Sequence, residues 1–131
     1  MLVGVQKILI IDDHEPMRRN VAVILEMEGF KPLSAANGPA GLELARKEKP
    51  DLILCDVTMP GMDGHAVLRA IREDKALSGI PFVFLSAHDE RWEAREGDKA
   101  GADGYLTKPI SHDELLSTIT TRLEREGSGS K

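Results

Sequence analysis

Continuous apolar runs predict the strands of this chain. Residues 8–11 (Ile-Leu-Ile-Ile), 52–55 (Leu-Ile-Leu-Cys) and 82–85 (Phe-Val-Phe-Leu) do not alternate with polar residues. Runs of this kind are typical of parallel strands that are covered on both faces. Lys31–Ala35 is a weaker candidate whose proline suits an edge strand, and Gly104–Thr107 is a short fifth candidate. The pattern therefore predicts five strands.

Apolar residues spaced three to four apart predict helices between these strands. Asn37, Asp63 and Ser111 each precede such a pattern, and all three side chains can cap a helix N-terminus. The predicted helices cover residues 15–28, 37–49, the stretch after 63, roughly 90–100 and the stretch from 111. The fourth is poorly apolar and contains Gly97 and Asp98, so we expect it to be loosely held.

Strand and helix alternate five times, which predicts right-handed crossover connections. We therefore expect an α/β fold, a doubly wound five-stranded parallel sheet with helices on both faces. The edge-like second strand favours the flavodoxin-like strand order 2-1-3-4-5. In such sheets ligands bind beyond the carboxyl ends of the strands, so the residues that follow the strands are the candidates for chemistry.

Acidic, hydroxyl and amine side chains follow four of the predicted strands. Asp12 and Asp13 come after the first, Asp56 after the third, Ser86 after the fourth and Lys108 after the fifth. Two carboxylates about 4 Å apart repel by roughly 4 kcal/mol at an effective dielectric constant near 20. Three acids beside one lysine therefore retain a proton or bind a divalent cation, and oxygen ligands at a half-open site suit Mg²⁺. This set suits phosphoryl transfer onto a carboxylate.

Composition limits the classes of function. The 131 residues suffice for one domain, and the formal charge of −5 argues against direct binding to nucleic acid. Cys55 is the only cysteine, so no internal disulfide can form and we expect a cytoplasmic protein. No apolar stretch approaches the roughly 18 residues of a membrane span. Residues 127–131 (Gly-Ser-Gly-Ser-Lys) are predicted to be a flexible tail, either the start of a linker or an expression remnant.

The strand-end residues stand in motifs that resemble the receiver domain of bacterial two-component response regulators, the CheY-like domains. The resemblance covers residues 6–126. Its motifs, in chain order, are Asp12-Asp13, Asp56 with the Met-Pro-Gly-Met-Asp-Gly of residues 59–64, Ser86-Ala87, and the Gly-Ala-Asp-Gly-Tyr-Leu-Thr-Lys-Pro of residues 101–109. Each motif alone is unspecific, but the ordered set is specific.

The resemblance implies that Asp56 accepts a phosphoryl group from a phosphohistidine on a sensor histidine kinase or a histidine phosphotransfer protein. It also implies a Mg²⁺ (or Mn²⁺) ion held by Asp13, Asp56 and the backbone carbonyl of Thr58, with Asp12 acting through a bound water. Four residues are expected to contact the phosphoryl oxygens: Lys108, Ser86 and, through their backbone N–H groups, Thr58 and Ala87.

A conformational switch is also implied by the resemblance. Ser86 and Tyr105 match the switch residues of the family, and phosphorylation is expected to alter the surface made by the fourth helix, the fifth strand and the fifth helix. The Lys108–Pro109 peptide bond is expected to be cis. Output would pass to an unidentified downstream effector, a C-terminal output domain or a phosphorylation-dependent dimer. No enzyme activity is expected beyond the domain's part in its own phosphorylation and dephosphorylation.

Two other interpretations remain open from the sequence. A phosphatase that forms an aspartyl-phosphate usually has a second acid two residues after its nucleophile, where this chain has Thr58. A receiver-like scaffold that is never phosphorylated would have no reason to hold mutually repelling carboxylates together. Both features favour the phosphoacceptor over these alternatives.

Overall fold

The computed structural model describes residues 4–87 and 101–129, where strands and helices follow the predicted order. The elements are β1 (Lys7–Ile11), α1 (Glu15–Met27), β2 (Lys31–Ala35), α2 (Gly38–Glu48), β3 (Leu52–Asp56), α3 (Gly64–Glu73), β4 (Phe82–Ser86), β5 (Gly104–Thr107) and α4 (His112–Gly129). Helix α4 is the fifth helix predicted from the sequence, and it continues past residue 126, the predicted end of the domain. The predicted fourth helix at residues 90–100 lies outside the described residues, so its expected loose packing stays a prediction.

The five strands form one parallel sheet in the order β2-β1-β3-β4-β5, which confirms the predicted topology. Strand β2, which contains Pro32, lies at one edge, as its sequence predicts. The register pairs Ile11 with Cys55 and Ser86 with Thr107. Because neighbouring parallel strands end side by side, the residues that follow them share one edge of the sheet.

Apolar residues form a core on each face of the sheet. Leu42 and Ala45 of α2 and Val67 of α3 are buried in one cluster, whereas Val21 of α1 and Leu115 of α4 are buried in the other. The expected placement of helices on both faces is therefore confirmed. Among the described residues, no helix has the length and apolar character needed to cross a bilayer.

Side-chain caps fix where three helices begin. Asn37 accepts a hydrogen bond from Ala40 N at 2.8 Å, and Asp63 accepts one from Ala66 N at 2.9 Å. Ser111 Oγ accepts from the backbone N–H of Glu114 at 3.0 Å in the predicted capping box. Each cap satisfies an N–H group that lacks a partner in the first helical turn. The cap at Asp63 therefore sets the end of the loop that follows β3.

Arg72, near the end of α3, anchors the edge strand β5. Its guanidinium donates to Gly101 O at 2.7 Å and to Ile80 O at 2.7 Å, and it pairs with Asp103 at 2.9 Å. Asp103 Oδ2 also accepts from Phe82 N at 2.7 Å. These bonds tie the end of α3 to the start of β4 and to the segment before β5, so they support the strand that leads to Lys108.

Candidate functional site

Strand pairing brings the site residues that the sequence predicts to one edge of the sheet. Asp12 follows β1 and Asp56 ends β3, and these two strands are direct neighbours. Ser86 ends β4, where it pairs with Thr107, the residue before Lys108. Lys108 N donates to Ser86 O at 2.7 Å, which continues the pairing beyond the end of β5. The expected convergence of these strand ends is therefore present.

Three carboxylates form a cluster at this edge. One oxygen from each of Asp12, Asp13 and Asp56 lies within 4.8 Å of the other two. Asp12 is fully buried, Asp56 is 5% exposed and Asp13 is exposed to solvent. The backbone holds Asp12 firmly, because Asp12 Oδ1 accepts from His14 N at 2.9 Å. Like charges at this separation repel unless a cation or a proton compensates them.

Lys108 supplies a cation to the cluster. Its Nζ lies 3.2 Å from Asp12 Oδ2 and 3.3 Å from Asp56 Oδ1. Burial alone would lower the pKa of Lys108, but the charges of Asp56 and Asp12 outweigh that effect and raise the pKa above its ordinary value. The ammonium is therefore charged at neutral pH and bridges two of the three acids.

Two buried oxygens in the site have no hydrogen-bond partner within the described part of the chain. They are Asp12 Oδ2 and Ser86 Oγ. Asp12 Oδ2 nevertheless lies within ion-pair distance of Lys108 Nζ, at 3.2 Å. Because buried polar atoms are nearly always bonded, these two are suited to a ligand. Asp12 Oδ2 can face a cation, and Ser86 Oγ can donate to an anionic oxygen.

The loop after β3 is closed at its base and places Thr58 at the rim of the site. Gly64 N donates to Val57 O at 2.8 Å and closes the loop at its base. Gly61 has a φ of +78°, a left-handed conformation that favours glycine, so the chain turns sharply beyond Thr58. Thr58 is exposed at the rim, two residues after Asp56.

The remaining residues implied by the resemblance lie on or next to β4 and β5. Ala87 follows Ser86 directly and is partly buried. Tyr105 is partly buried, packs against the apolar cluster on the α2 and α3 face, and pairs with Phe84 in the sheet. The Lys108–Pro109 peptide bond is cis.

Cys55 lies next to Asp56 but faces the core. Its thiol is fully buried and donates weakly to Asp56 O at 3.4 Å. Burial raises the pKa of the Cys55 thiol well above its ordinary value, and the negative charge of Asp56 raises it further. A thiol that stays protonated is a poor nucleophile and a poor metal ligand, so Cys55 belongs to the core.

Sequence reasoning missed one side chain at this edge, Arg18. Its Nη1 donates to the backbone carbonyl of Asp12 at 2.6 Å. Arg18 lies one turn into α1, and nothing in the pattern of polar residues separates it from Arg19, which pairs with Glu15 at the surface. Only the orientation of α1 against the sheet distinguishes the two arginines.

Replacing Lys108 with methionine is expected to lower the free energy of unfolding at pH 7, because two buried carboxylates lose their partner. We expect a loss of about 2 kcal/mol, less than for a fully buried pair, because the Lys108 side chain is 24% exposed. The raised pKa of Lys108 means that its contribution is fully present below the ordinary lysine pKa of about 10.4 and is lost only at higher pH. Urea unfolding from pH 7 to pH 9 should therefore give a constant difference from the unsubstituted chain. Lys75→Met, which removes an exposed lysine, is the control and should have little effect. A loss no larger than the control's would contradict the ion-pair role.

Several known proteins are similar to this chain in sequence. Protein PilH of Pseudomonas aeruginosa is 38% identical over 117 residues, which cover 89% of this chain and 97% of PilH. The phosphate regulon transcriptional regulatory protein PhoB of the same organism is 39% identical over 122 residues, which cover 93% of this chain and 53% of PhoB. The chain thus spans nearly the whole of one relative and about half of the other.

Solved structures of response regulators are also similar to this chain. A putative response regulator from Chloroflexus aurantiacus superposes with a TM-score of 0.88 at 29% identity, covering 92% of this chain and 99% of its own. The chemotaxis protein CheY4 of Vibrio cholerae superposes with a TM-score of 0.85 at 31% identity, covering 90% of this chain and 98% of its own. Residues 8–120 match the response regulator receiver domain family. The chain therefore belongs to the receiver domains of two-component response regulators.

Proposed function

We propose that this receiver domain is phosphorylated on Asp56 by the phosphohistidine of a sensor histidine kinase or a histidine phosphotransfer protein. The observation that carries the proposal is the convergence of the Asp56 carboxylate with Asp12 and Asp13 within 4.8 Å and with Lys108 at 3.3 Å. Such crowding of like charges opposes folding, so its presence at a ligand-binding edge supports a chemical role.

In the proposed transfer, a carboxylate oxygen of Asp56 attacks the phosphorus of the donor and forms a new O–P bond. The P–N bond to the donor imidazole breaks, and the nitrogen keeps the electron pair and takes up a proton from solvent. A carboxylate nucleophile has no proton to remove, so positioning and charge neutralisation carry the rate acceleration. The donor would approach a carboxylate that is 5% exposed, at the edge where the loop turns at Gly61.

The donor atoms fit a small hard cation. Three carboxylate oxygens lie close together, and the buried Asp12 Oδ2 has no hydrogen-bond partner among the described residues. Asp13, Asp56 and the backbone carbonyl of Thr58 would hold Mg²⁺ or Mn²⁺, with Asp12 acting through a water molecule. Once bound, the cation supplies positive charge that neutralises the transferring phosphoryl oxygens.

Lys108 and Ser86 would contact the phosphoryl oxygens directly. The Lys108 ammonium already lies 3.3 Å from Asp56, and the Ser86 hydroxyl at the end of β4 is buried without a hydrogen-bond partner in the described part of the chain. The backbone N–H groups of Thr58 and Ala87 would add two donors. In this proposal the four groups would share the contacts to the three phosphoryl oxygens.

Phosphorylation would then bias the output surface. As the resemblance to the family's switch residues implies, movement of Ser86 toward the phosphoryl group would be accompanied by inward movement of Tyr105, which lies on the neighbouring strand. The affected surface would comprise the predicted fourth helix, β5 and α4, and it would serve a downstream effector, a C-terminal output domain or a second copy of the chain. We place this signalling in the cytoplasm, where the single buried thiol is compatible with reducing conditions.

Incubation with a small phosphoramidate donor tests the proposal. Intact-mass measurement is expected to show uptake of one phosphoryl group when Mg²⁺ or Mn²⁺ is present and none in EDTA. The product should be released by hydroxylamine, which cleaves acyl phosphates. No uptake by the folded chain at saturating Mg²⁺, or equal uptake in EDTA, would contradict the proposed chemistry.

A further inference from the structure

Arg18 makes a charged hydrogen bond to the backbone at the acidic cluster. Its Nη1 lies 2.6 Å from the carbonyl oxygen of Asp12, and hydrogen bonds from a guanidinium are stronger than those between neutral groups. The side chain is half-buried, and its own N–H donates to His14 O at 3.1 Å in the first turn of α1. Arg18 therefore links α1, which contains its backbone, to the end of β1, which its side chain contacts.

The carbonyl that Arg18 holds belongs to the peptide unit that joins Asp12 to Asp13. A peptide unit is planar, so fixing its carbonyl fixes the direction in which the chain leaves Asp12. Asp12 has two further restraints, from its N–H to Ala35 O at 3.1 Å and from His14 N to its carboxylate. The exposed Asp13 carboxylate makes no hydrogen bond or ion pair among the described residues, so its position depends on where the backbone places Asp13 and on the rotamer of its side chain.

We propose that Arg18 is a positioning residue for the cation, because it orients the Asp12–Asp13 peptide and so holds the Asp13 carboxylate toward Asp56. The inference rests on the proposed cation site. The charge of Arg18 would have the opposite effect on Mg²⁺ affinity, since a positive charge near three carboxylates by itself repels a divalent cation. Loss of positioning weakens Mg²⁺ binding, whereas loss of charge alone strengthens it.

The test is a Mg²⁺ titration of the unphosphorylated chain followed by the backbone amide NMR signals of His14 and Val57. Arg18→Met keeps most of the aliphatic stem and removes the guanidinium. It is expected to raise the dissociation constant for Mg²⁺ by about tenfold, the lower end of the range for residues that orient metal ligands. Arg19→Met is the matched control, because it removes the same charge from the next position of α1, where the side chain pairs with Glu15. The control should change the dissociation constant by less than about twofold.

Thermal unfolding of both variants separates positioning from general stability, since a purely structural role would lower the melting temperature without changing Mg²⁺ affinity in the folded chain. If Arg18→Met does not fold, Arg18→Gln takes its place with the same expectation. Unchanged or tighter Mg²⁺ binding in the Arg18 variant, or equal weakening in the Arg19 variant, would overturn the inference. Weaker binding in the Arg18 variant alone would support it, even if the unsubstituted chain took up no phosphoryl group and the proposed function failed.

Discussion

Replacing Asp56 with asparagine is expected to abolish phosphoryl uptake and, without Mg²⁺, to raise the free energy of unfolding. The amide is a poor nucleophile, so no acyl phosphate can form at this position. Stability should rise because Asp56 faces two like charges, Asp12 and Asp13, but only one opposite charge, Lys108. The substitution removes one net repulsion, which is weakened by the solvent around the exposed Asp13. We therefore expect the free energy of unfolding to rise by about 1 kcal/mol.

Urea unfolding of the Asp56→Asn variant with and without Mg²⁺ checks the second half of this expectation. Saturating Mg²⁺ should stabilise the unsubstituted chain more than the variant, because the variant has lost one carboxylate ligand. Asp113→Asn, which makes the same substitution at an exposed position on α4, is the control. A variant that is less stable than the unsubstituted chain in the absence of Mg²⁺ would show that the ion pair with Lys108 outweighs the repulsion.

Replacing Gly64 with alanine is expected to destabilise the fold by about 3 kcal/mol, at the upper end of the usual range for overpacking. A Cβ at Gly64 would overlap the backbone carbonyl oxygen of Asp56 and lie 3.0 Å from Val57 Cα. Backbone atoms of a central strand cannot move aside as a flexible side chain can. The strain would also open the hydrogen bond between Gly64 N and Val57 O, which closes the loop that carries Thr58.

Chemical denaturation measures this loss directly. Gly79→Ala is the matched control, since a Cβ there would meet no atom within 4 Å. The control should change stability by less than about 1 kcal/mol. Equal stability of the two alanine variants would mean that the close approach of α3 to the end of β3 is not required by the fold.

The strands and their order could be predicted because the pattern is local. Residues 8–11, 52–55 and 82–85 are uninterrupted apolar runs, and Pro32 marks the edge strand. The gathering of Asp12, Asp56 and Lys108 then follows from a general rule for parallel sheets, although these residues are distant in the chain. The caps at Asn37 and Asp63 were also predictable, because a cap involves residues only three positions apart.

The arginine contacts could not be predicted, because they depend on how helices lie against the sheet. Arg18 and Arg19 are adjacent and chemically identical, yet one contacts the end of β1 and the other an exposed glutamate. Arg72 binds the carbonyl oxygens of Ile80 and Gly101, groups that every residue possesses and that leave no signal in the sequence. Long side chains that donate to distant backbone groups are thus the part of the site that only the structure supplies.

The most direct test of the central claim is to locate the phosphoryl group within the chain. After incubation with the phosphoramidate donor and Mg²⁺, borohydride would reduce the acyl phosphate to an alcohol, and peptide fragmentation by mass spectrometry would identify the reduced residue. We expect the modification at Asp56 alone, within the peptide that contains the end of β3 and the loop after it. A phosphoryl group found on a histidine, a serine or any other aspartate, with Asp56 unchanged, would contradict the account.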